Sequence, residues 1–368
     1  MKQFIYIALI SLSLFSCNEK KSRYVITGEL TGLQNPKLFF VISNLNNQEV
    51  RIDSVLCDKN GKFLFRGTGD KLTPVIIYME NGSVWTTVWA QNTDIIVTGD
   101  ARYPELILAY GGEVNDLLTD FKQKNADLLK EKRELSDNYS TTMDTDSLNP
   151  EFDQTIYHSR ISTINSQLKD QTEIFIAQFP SSVASLILIR DFLMDTASPQ
   201  SVSEYLSKIT GEATLDPLYN KLVNINSQIL LTVPGAPAPD FAITDIKNDT
   251  IRLDLFKGKY FLLSFAASWC DMCNKNYDEW VDLRKSVSKN KLEMLTVSLD
   301  GDSTAWTNIA KEKDFTWYQV IDSLEWNSNM VSLYNIMEIP SNVLIDKESN
   351  IIGKNLPNDS IMKIVNLE

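Results

Sequence analysis

Two cysteines two residues apart, set between an apolar run and a helical pattern, constrain this chain more than any other feature: Trp269-Cys270-Asp271-Met272-Cys273. The run Tyr260 to Phe265 has the length and apolarity of a buried strand, and Ala266-Ala267-Ser268 turns out of it. Trp280, Leu283 and Val287 then recur at helical spacing. This order predicts Cys270 at a helix N-terminus, where unpaired N–H groups and the helix dipole favour a thiolate. Cys273 falls one turn on, within reach of a mixed disulfide formed on Cys270. The layout is that of a thiol–disulfide exchange site. The alternative, half of a zinc site, needs a second pair of ligands. The chain offers only Cys17, Cys57 and the single histidine His158, none at knuckle spacing, so redox chemistry without a metal is the expectation.

The first residues address the chain. Met1-Lys2-Gln3 is a short basic start, Phe4 to Phe15 is apolar apart from serines, and Leu14-Phe15-Ser16-Cys17 closes the run. The run is too short to span a bilayer comfortably, so residues 1–16 read as a signal peptide. The small residue before Cys17 resembles a bacterial lipobox, which implies cleavage there and lipid on Cys17. The alternative is an ordinary signal peptide with an incidental cysteine. Residues 17–23 are a polar tether. No other segment has the length and apolarity of a membrane span.

A net charge of −13 excludes nucleic acid, whose binding needs clustered Lys and Arg, and disfavours electrostatic docking on anionic lipid. Membrane attachment therefore falls to the lipid.

At 368 residues the chain has room for two or three domains, and its pattern shifts twice. Residues 24–105 alternate short β-rich runs with turn residues: Tyr24 to Leu30, Lys37 to Ser43, Val50 to Leu56, Phe63 to Gly67, Val75 to Met79, Trp85 to Ala90 and Ile95 to Gly99. These predict an antiparallel sandwich or open barrel. Cys57 reads as a small core residue. Trp85 and Trp89 share one face of a strand, which suits a core or a ligand surface. Gly111-Gly112 ends this part, and residues 112–232 read as a helical spacer or small bundle. Val114, Leu117, Leu118 and Phe121 make one apolar stripe, and Tyr157, Ile161, Ile164, Leu168, Phe175 and Phe179 make another, stopped by Pro180. Ser136 to Pro150 is polar and reads as a loop. Ser201-Val202-Ser203-Glu204 looks like a capping box, and Asp216-Pro217 an N-cap with proline at the first helical position. The stripes are expected to pack within the chain; a dimer face is the alternative, and the oligomeric state stays open. His158 reads as a helix-surface residue.

Around the cysteine pair the motifs accumulate. Pro234-Gly235-Ala236-Pro237-Ala238-Pro239-Asp240-Phe241 leads to a strand, a turn at Gly258 and the buried strand, and Ile339-Pro340-Ser341-Asn342-Val343-Leu344-Ile345-Asp346 and Ile351-Ile352-Gly353 follow the helix. Residues 234–368 thereby resemble the TlpA/ResA-like branch of the thioredoxin superfamily, membrane-tethered thiol–disulfide oxidoreductases. The resemblance implies an α/β thioredoxin fold at the C-terminus, preceded by an all-β sandwich-like domain and the helical spacer. It implies a cis Pro340 facing the disulfide, Ile339 and Pro340 flanking a substrate chain, and Trp269 shielding the sulfurs. No cofactor is implied beyond the redox-active pair. Implied partners are exported proteins with disulfides or thiols, apocytochromes and copper-site proteins among them, and an upstream thiol donor. The setting would be periplasm-facing, on the outer membrane. The β-rich part, with Ile26, Gly28 and Gly32, Asp53-Ser54 and Asp58-Lys59-Asn60-Gly61-Lys62-Phe63, resembles a β-domain fused ahead of TlpA-like modules in Bacteroidetes lipoproteins.

The sequence departs from that family where a proton acceptor for Cys273 is usual: Ser264 and Asn276 occupy positions that carry carboxylates in relatives, while Asp278 and Glu279 are turned away by helix geometry. Slow exchange near neutral pH, accelerating towards the thiol pKa values, is the expectation. Asp271 opposes the helix dipole at Cys270 and points to a reductant rather than a strong oxidant. A thiol peroxidase, the rival enzyme, needs a hydroxyl where Ala267 stands and an arginine for which Arg284 is a poor substitute. A thioredoxin scaffold kept for binding, with the β-domain as its interaction surface, is the rival outside enzymology.

Overall fold

Along Lys62–Thr68 buried and exposed residues alternate strictly, Phe63 and Phe65 inward and Lys62 and Arg66 outward, which is the signature of a sheet with one face on a core. The computed structural model describes residues 23–43, 49–69, 71–79, 86–144, 154–247 and 249–366. The signal segment, Cys17 and Trp85 lie outside the described residues. The chain divides into two compact units: residues up to 196 with 208–218, and 197–207 with 219 onward.

In the first unit β1 (Arg23–Thr31), β2 (Lys37–Ser43), β3 (Glu49–Leu56), β4 (Lys62–Thr68), β5 (Thr73–Met79), β6 (Thr86–Ala90), β7 (Ile95–Asp100) and β8 (Leu108–Tyr110) build two sheets, in the orders β4-β1-β7-β8 and β3-β2-β5-β6. Ile26, Phe63, Phe65 and Val97 from one sheet and Leu38, Phe40, Val75 and Ile77 from the other form a single core, so the architecture is a sandwich. Phe40 stacks on Phe65 with ring centroids 4.3 Å apart. The expected all-antiparallel pairing is corrected at one place: β1 and β7 run parallel. Hairpin turns set the direction of sequence neighbours, but these two strands are joined only through the rest of the domain, so no turn dictates theirs. Cys57, just past β3, is a half-buried free thiol at the edge of the core, and burial foremost, then the Asp58 charge, pushes it up.

The sheet continues to Tyr110, and α1 (Glu113–Lys124), α2 (Ala126–Asp144), α3 (Gln154–Gln178) and α4 (Val183–Leu188) follow. Phe121 of the first stripe meets Phe175 of the second edge-on at 5.8 Å, so these stripes pack within the chain. Asn115 clamps α1 to β6, accepting from Trp89 N at 2.9 Å and donating to Trp89 O at 2.8 Å. The polar stretch expected as a loop from Ser136 is helical through Asp144. The helix that carries this stretch packs Leu129 and Leu135 with Ile164 and Leu168 of α3, Tyr139 stacks on Tyr157 with centroids 4.4 Å apart, and ion pairs join Arg133 to Asp137 at 2.9 Å and Glu131 to Arg160 at 2.5 Å. His158 is exposed on α3 beside the rings of Tyr139 and Tyr157.

Two further helices, α5 (Pro199–Ser207) and α6 (Pro217–Leu230), come next. The start of α5 lies earlier than the expected capping box, because Ser198 Oγ accepts from Ser201 N at 3.1 Å. At α6, Asp216 Oδ1 accepts from Leu218 N at 2.8 Å, ahead of the proline, as the sequence predicts.

The second unit is built on the sheet β13-β12-β11-β14-β15. After the small hairpin β9 (Ala242–Thr244) and β10 (Thr250–Arg252) come β11 (Tyr260–Ala266), α7 (Asp271–Ser286), β12 (Leu292–Ser298), α8 (Ser303–Glu312), β13 (Tyr318–Ile321), α9 (Asn329–Leu333), β14 (Ser341–Ile345), β15 (Ile351–Lys354) and α10 (Asn358–Asn366). Central β11 pairs parallel with β12 and antiparallel with β14, and all seven of its residues are buried. This is the α/β thioredoxin arrangement that the resemblance implies.

Candidate active site at Cys270 and Cys273

The C-terminal end of β11 delivers Ala267 to Cys270 straight into α7, with Cys270 as the N-cap residue. Cys273 N donates to Cys270 Sγ at 3.1 Å, so the first sulfur takes up one of the helix's unpaired N–H groups. The two cysteines are joined as a disulfide with Cα atoms 5.2 Å apart. Cys270 keeps 7% of its surface exposed and Cys273 none, so Cys270 is the sulfur that a partner can reach. The roles expected from the sequence are attack by the first cysteine and resolution by the second.

Antiparallel pairing of β11 with β14 sets Phe265 opposite Ser341 and so carries the segment before β14 to the cysteines. The Ile339–Pro340 bond is cis, as the resemblance implies. Cys270 Sγ lies 3.8 Å from the carbonyl oxygen of Ile339. Ile339 and Pro340 are both half-buried, and Ile339 packs against the core of this unit. Trp269 is 55% exposed, and Met272 and Met337 are exposed too, which surrounds the pair with apolar side chains facing water.

Sequence reasoning missed Asp300. This buried carboxylate, two residues past β12, accepts from Ser268 N at 3.0 Å, from Ser268 Oγ at 2.5 Å, and from Ser298 Oγ. It thereby ties the turn that presents Cys270 to the neighbouring strand. Tyr277 OH donates to Ala267 O at 2.8 Å and holds the same turn from α7. Burial foremost, then the Asp300 charge, keeps the Tyr277 hydroxyl above its ordinary range. The one signal in the sequence is the pair Ser298 and Asp300 at the end of an apolar strand, which carries no meaning until β12 is known to lie beside β11.

Ser264 bonds Thr296 Oγ1 at 2.8 Å, a neutral hydroxyl pair. Asp278 is exposed and paired with Lys313 at 2.7 Å. Glu279 borders a hollow of about 220 Å³ that Asn276, Pro340 and Asn342 also line. The arginine that a peroxidase would need is committed elsewhere: Arg284 is buried and donates to the carbonyls of Leu292, at 2.6 Å, and Val287.

Residues 234–354 match the AhpC/TSA family, and residues 24–118 match a domain of unknown function, DUF4369. The thiol-disulfide oxidoreductase ResA of Bacillus thuringiensis subsp. konkukian is 29% identical over 118 residues, which are 32% of this chain and 66% of that protein. ResA of Geobacillus kaustophilus is 27% identical over 133 residues, 36% of this chain and 75% of that protein. Among solved structures, a thiol-disulfide oxidoreductase from Bacteroides fragilis is 29% identical, covers 36% of this chain and 99% of its own, and superposes with a TM-score of 0.34.

Proposed function

We propose, from the likeness of residues 234–354 to the AhpC/TSA family and to ResA, that this chain is a TlpA/ResA-like thiol–disulfide oxidoreductase, an exported reductase of protein disulfides held at a membrane by lipid on Cys17. The observation that carries the proposal is the difference between the two sulfurs, one reachable at a helix N-terminus beside the Ile339 carbonyl and one sealed a turn away.

The Cys270 thiolate attacks one sulfur of a partner disulfide, and the other partner sulfur leaves as a thiolate. Cys273, deprotonated, then attacks Cys270 Sγ and releases the second partner sulfur. Two electrons and two protons reach the partner, and the pair is left as the observed disulfide until an upstream thiol donor reduces it. Ile339 and Pro340 would align the partner's backbone, and Trp269 would cover the exposed flank.

Replacing Cys273 with Ser tests this reading: the variant should accumulate mixed disulfides between Cys270 and exported proteins. A variant that traps nothing would identify a scaffold used for binding. For the anchor, Cys17→Ser should move the protein from the membrane pellet to the soluble periplasmic fraction; retention in the pellet refutes lipidation as the attachment.

A further inference from the structure

The first compact unit holds a cavity of about 860 Å³ that plays no part in the cysteine chemistry. Trp89 of β6, Phe121 of α1 and Phe192, just past α4, supply aromatic wall. The charged side chains that also line it are unevenly paired. Arg133 bonds Glu105 at 3.5 Å, and Arg190 bonds Asp191 at 2.6 Å while lying 5.9 Å from the Trp89 ring, so these two acids have their own cations. Two lysines are left. Lys122 is half-buried and lines the cavity. Its ammonium donates one hydrogen bond, to Ile107 O at 2.8 Å, and has no other acceptor among the described residues. Lys132 Nζ has neither hydrogen bond nor ion pair among them. Against these two amines stands one lining carboxylate without an ion pair among the described residues, Asp195.

An ammonium withdrawn from water with donors unused is unfavourable unless something supplies acceptors. Burial pushes Lys122 down to about 8 even though Asp191 and Glu105 oppose the shift, and it lowers Lys132 as well against the opposing charges of Glu105 and Asp195. The protein therefore leaves these amines short of acceptors beside an aromatic wall, in a cavity within the usual range for small-molecule sites.

We infer that this cavity binds a small amphiphilic organic anion, its carboxylate head taken by Lys122 and Lys132 and its apolar body lying against Trp89, Phe121 and Phe192. The site is independent of the thiol chemistry, and its failure would leave the reductase reading untouched.

The test is calorimetric binding of octanoate, octylamine and octanol to the full chain. These share one apolar tail and differ in the charge of the head. Inorganic phosphate serves as a head without a tail. Octanoate should bind at least about tenfold more tightly than either of the others, as a charge-assisted hydrogen bond warrants, and phosphate should fail to displace it. Lys122→Gln and Lys132→Gln should each reduce octanoate to the affinity of octanol. Lys132 is half-buried and its ammonium makes no hydrogen bond or ion pair among the described residues, so its variant should fold, which thermal melting checks. Unchanged octanoate affinity in a folded Lys132→Gln chain overturns the inference. So does binding that ignores the head group, tighter binding of octylamine, displacement by phosphate, or no binding of octanoate at 10 mM.

Discussion

Asp300 shows how a single buried carboxylate can shape a site without touching the reacting atoms. Its oxygens accept from the backbone and hydroxyl of Ser268, two residues before Cys270. Hydrogen bonds to a charged acceptor stabilise by roughly 1.5–3 kcal/mol. Asp300→Asn should therefore lose stability of about that size in urea unfolding. It should also lower the Cys270 thiol pKa, because a negative charge near the thiolate is removed. A variant with full stability and an unmoved thiol titration would deny Asp300 both roles. Lys354 makes a second residue-scale prediction. Its ammonium donates to Thr232 Oγ1 at 2.8 Å and to Tyr334 O at 2.6 Å, both neutral, and burial pushes it down to about 8. An unfolded lysine titrates near 10.4, so between about pH 8 and 10 the unfolded chain holds more protons and stability gained from this group rises with pH. Below that window the folded state carries the cost of a buried charge. The stability of the wild type relative to Lys354→Met should therefore rise from pH 7 to about pH 9.5, whichever of the two is the more stable at pH 7; a difference that stays constant contradicts the assignment.

At the scale of elements, the turn between β3 and β4 is held by backbone geometry that only glycine adopts easily. Gly61 has φ +75°, and a Cβ there would come within 1.9 Å of Leu30 O. Gly258 has a similar φ of +83° but nothing within 4 Å of the same added atom. Left-handed backbone alone costs an alanine roughly 1–2 kcal/mol. Gly258→Ala should show about that loss, and Gly61→Ala distinctly more, because β1 must also move. Equal losses would mean that the β1 contact relaxes freely. The polar end of α2 carries a related lesson. Periodicity of apolar residues marks helices that bury a stripe, whereas the stretch from Ser136 is held by the Asp137–Arg133 pair and by Tyr139 stacked on Tyr157, contacts that a polarity reading takes for a loop.

For the whole molecule, the decisive quantity is the direction in which electrons flow. A reduction potential for the Cys270–Cys273 pair near about −270 mV, by equilibration with thiol buffers, is expected for a reductant. A value towards about −120 mV would mark a disulfide donor and reverse the argument from Asp271. Exchange with a model disulfide should accelerate as pH rises from 6 to 8, since Ser264 is paired to Thr296 as a neutral hydroxyl and Asn276 carries no titratable group. A fast rate flat across that range would show that a proton acceptor operates.

What the sequence determined by itself is local. The apolar run to Phe265, the cysteines and the periodic Trp280 and Leu283 dictate a strand, a turn and a helix with Cys270 at its start, because each depends on residues a few positions apart. The β-strands of the first unit were legible for the same reason, down to the inward Phe63 and Phe65. The tertiary structure decided everything that depends on which strands become neighbours. Register between β11 and β12 brings Asp300 to Ser268, and register between β11 and β14 brings the Ile339 carbonyl to Cys270. The parallel β1–β7 pair and the lysine-lined cavity arise likewise from contacts distant in sequence. Strand order is set by the burial of a whole sheet against its core, a global free-energy balance that no short stretch of residues encodes.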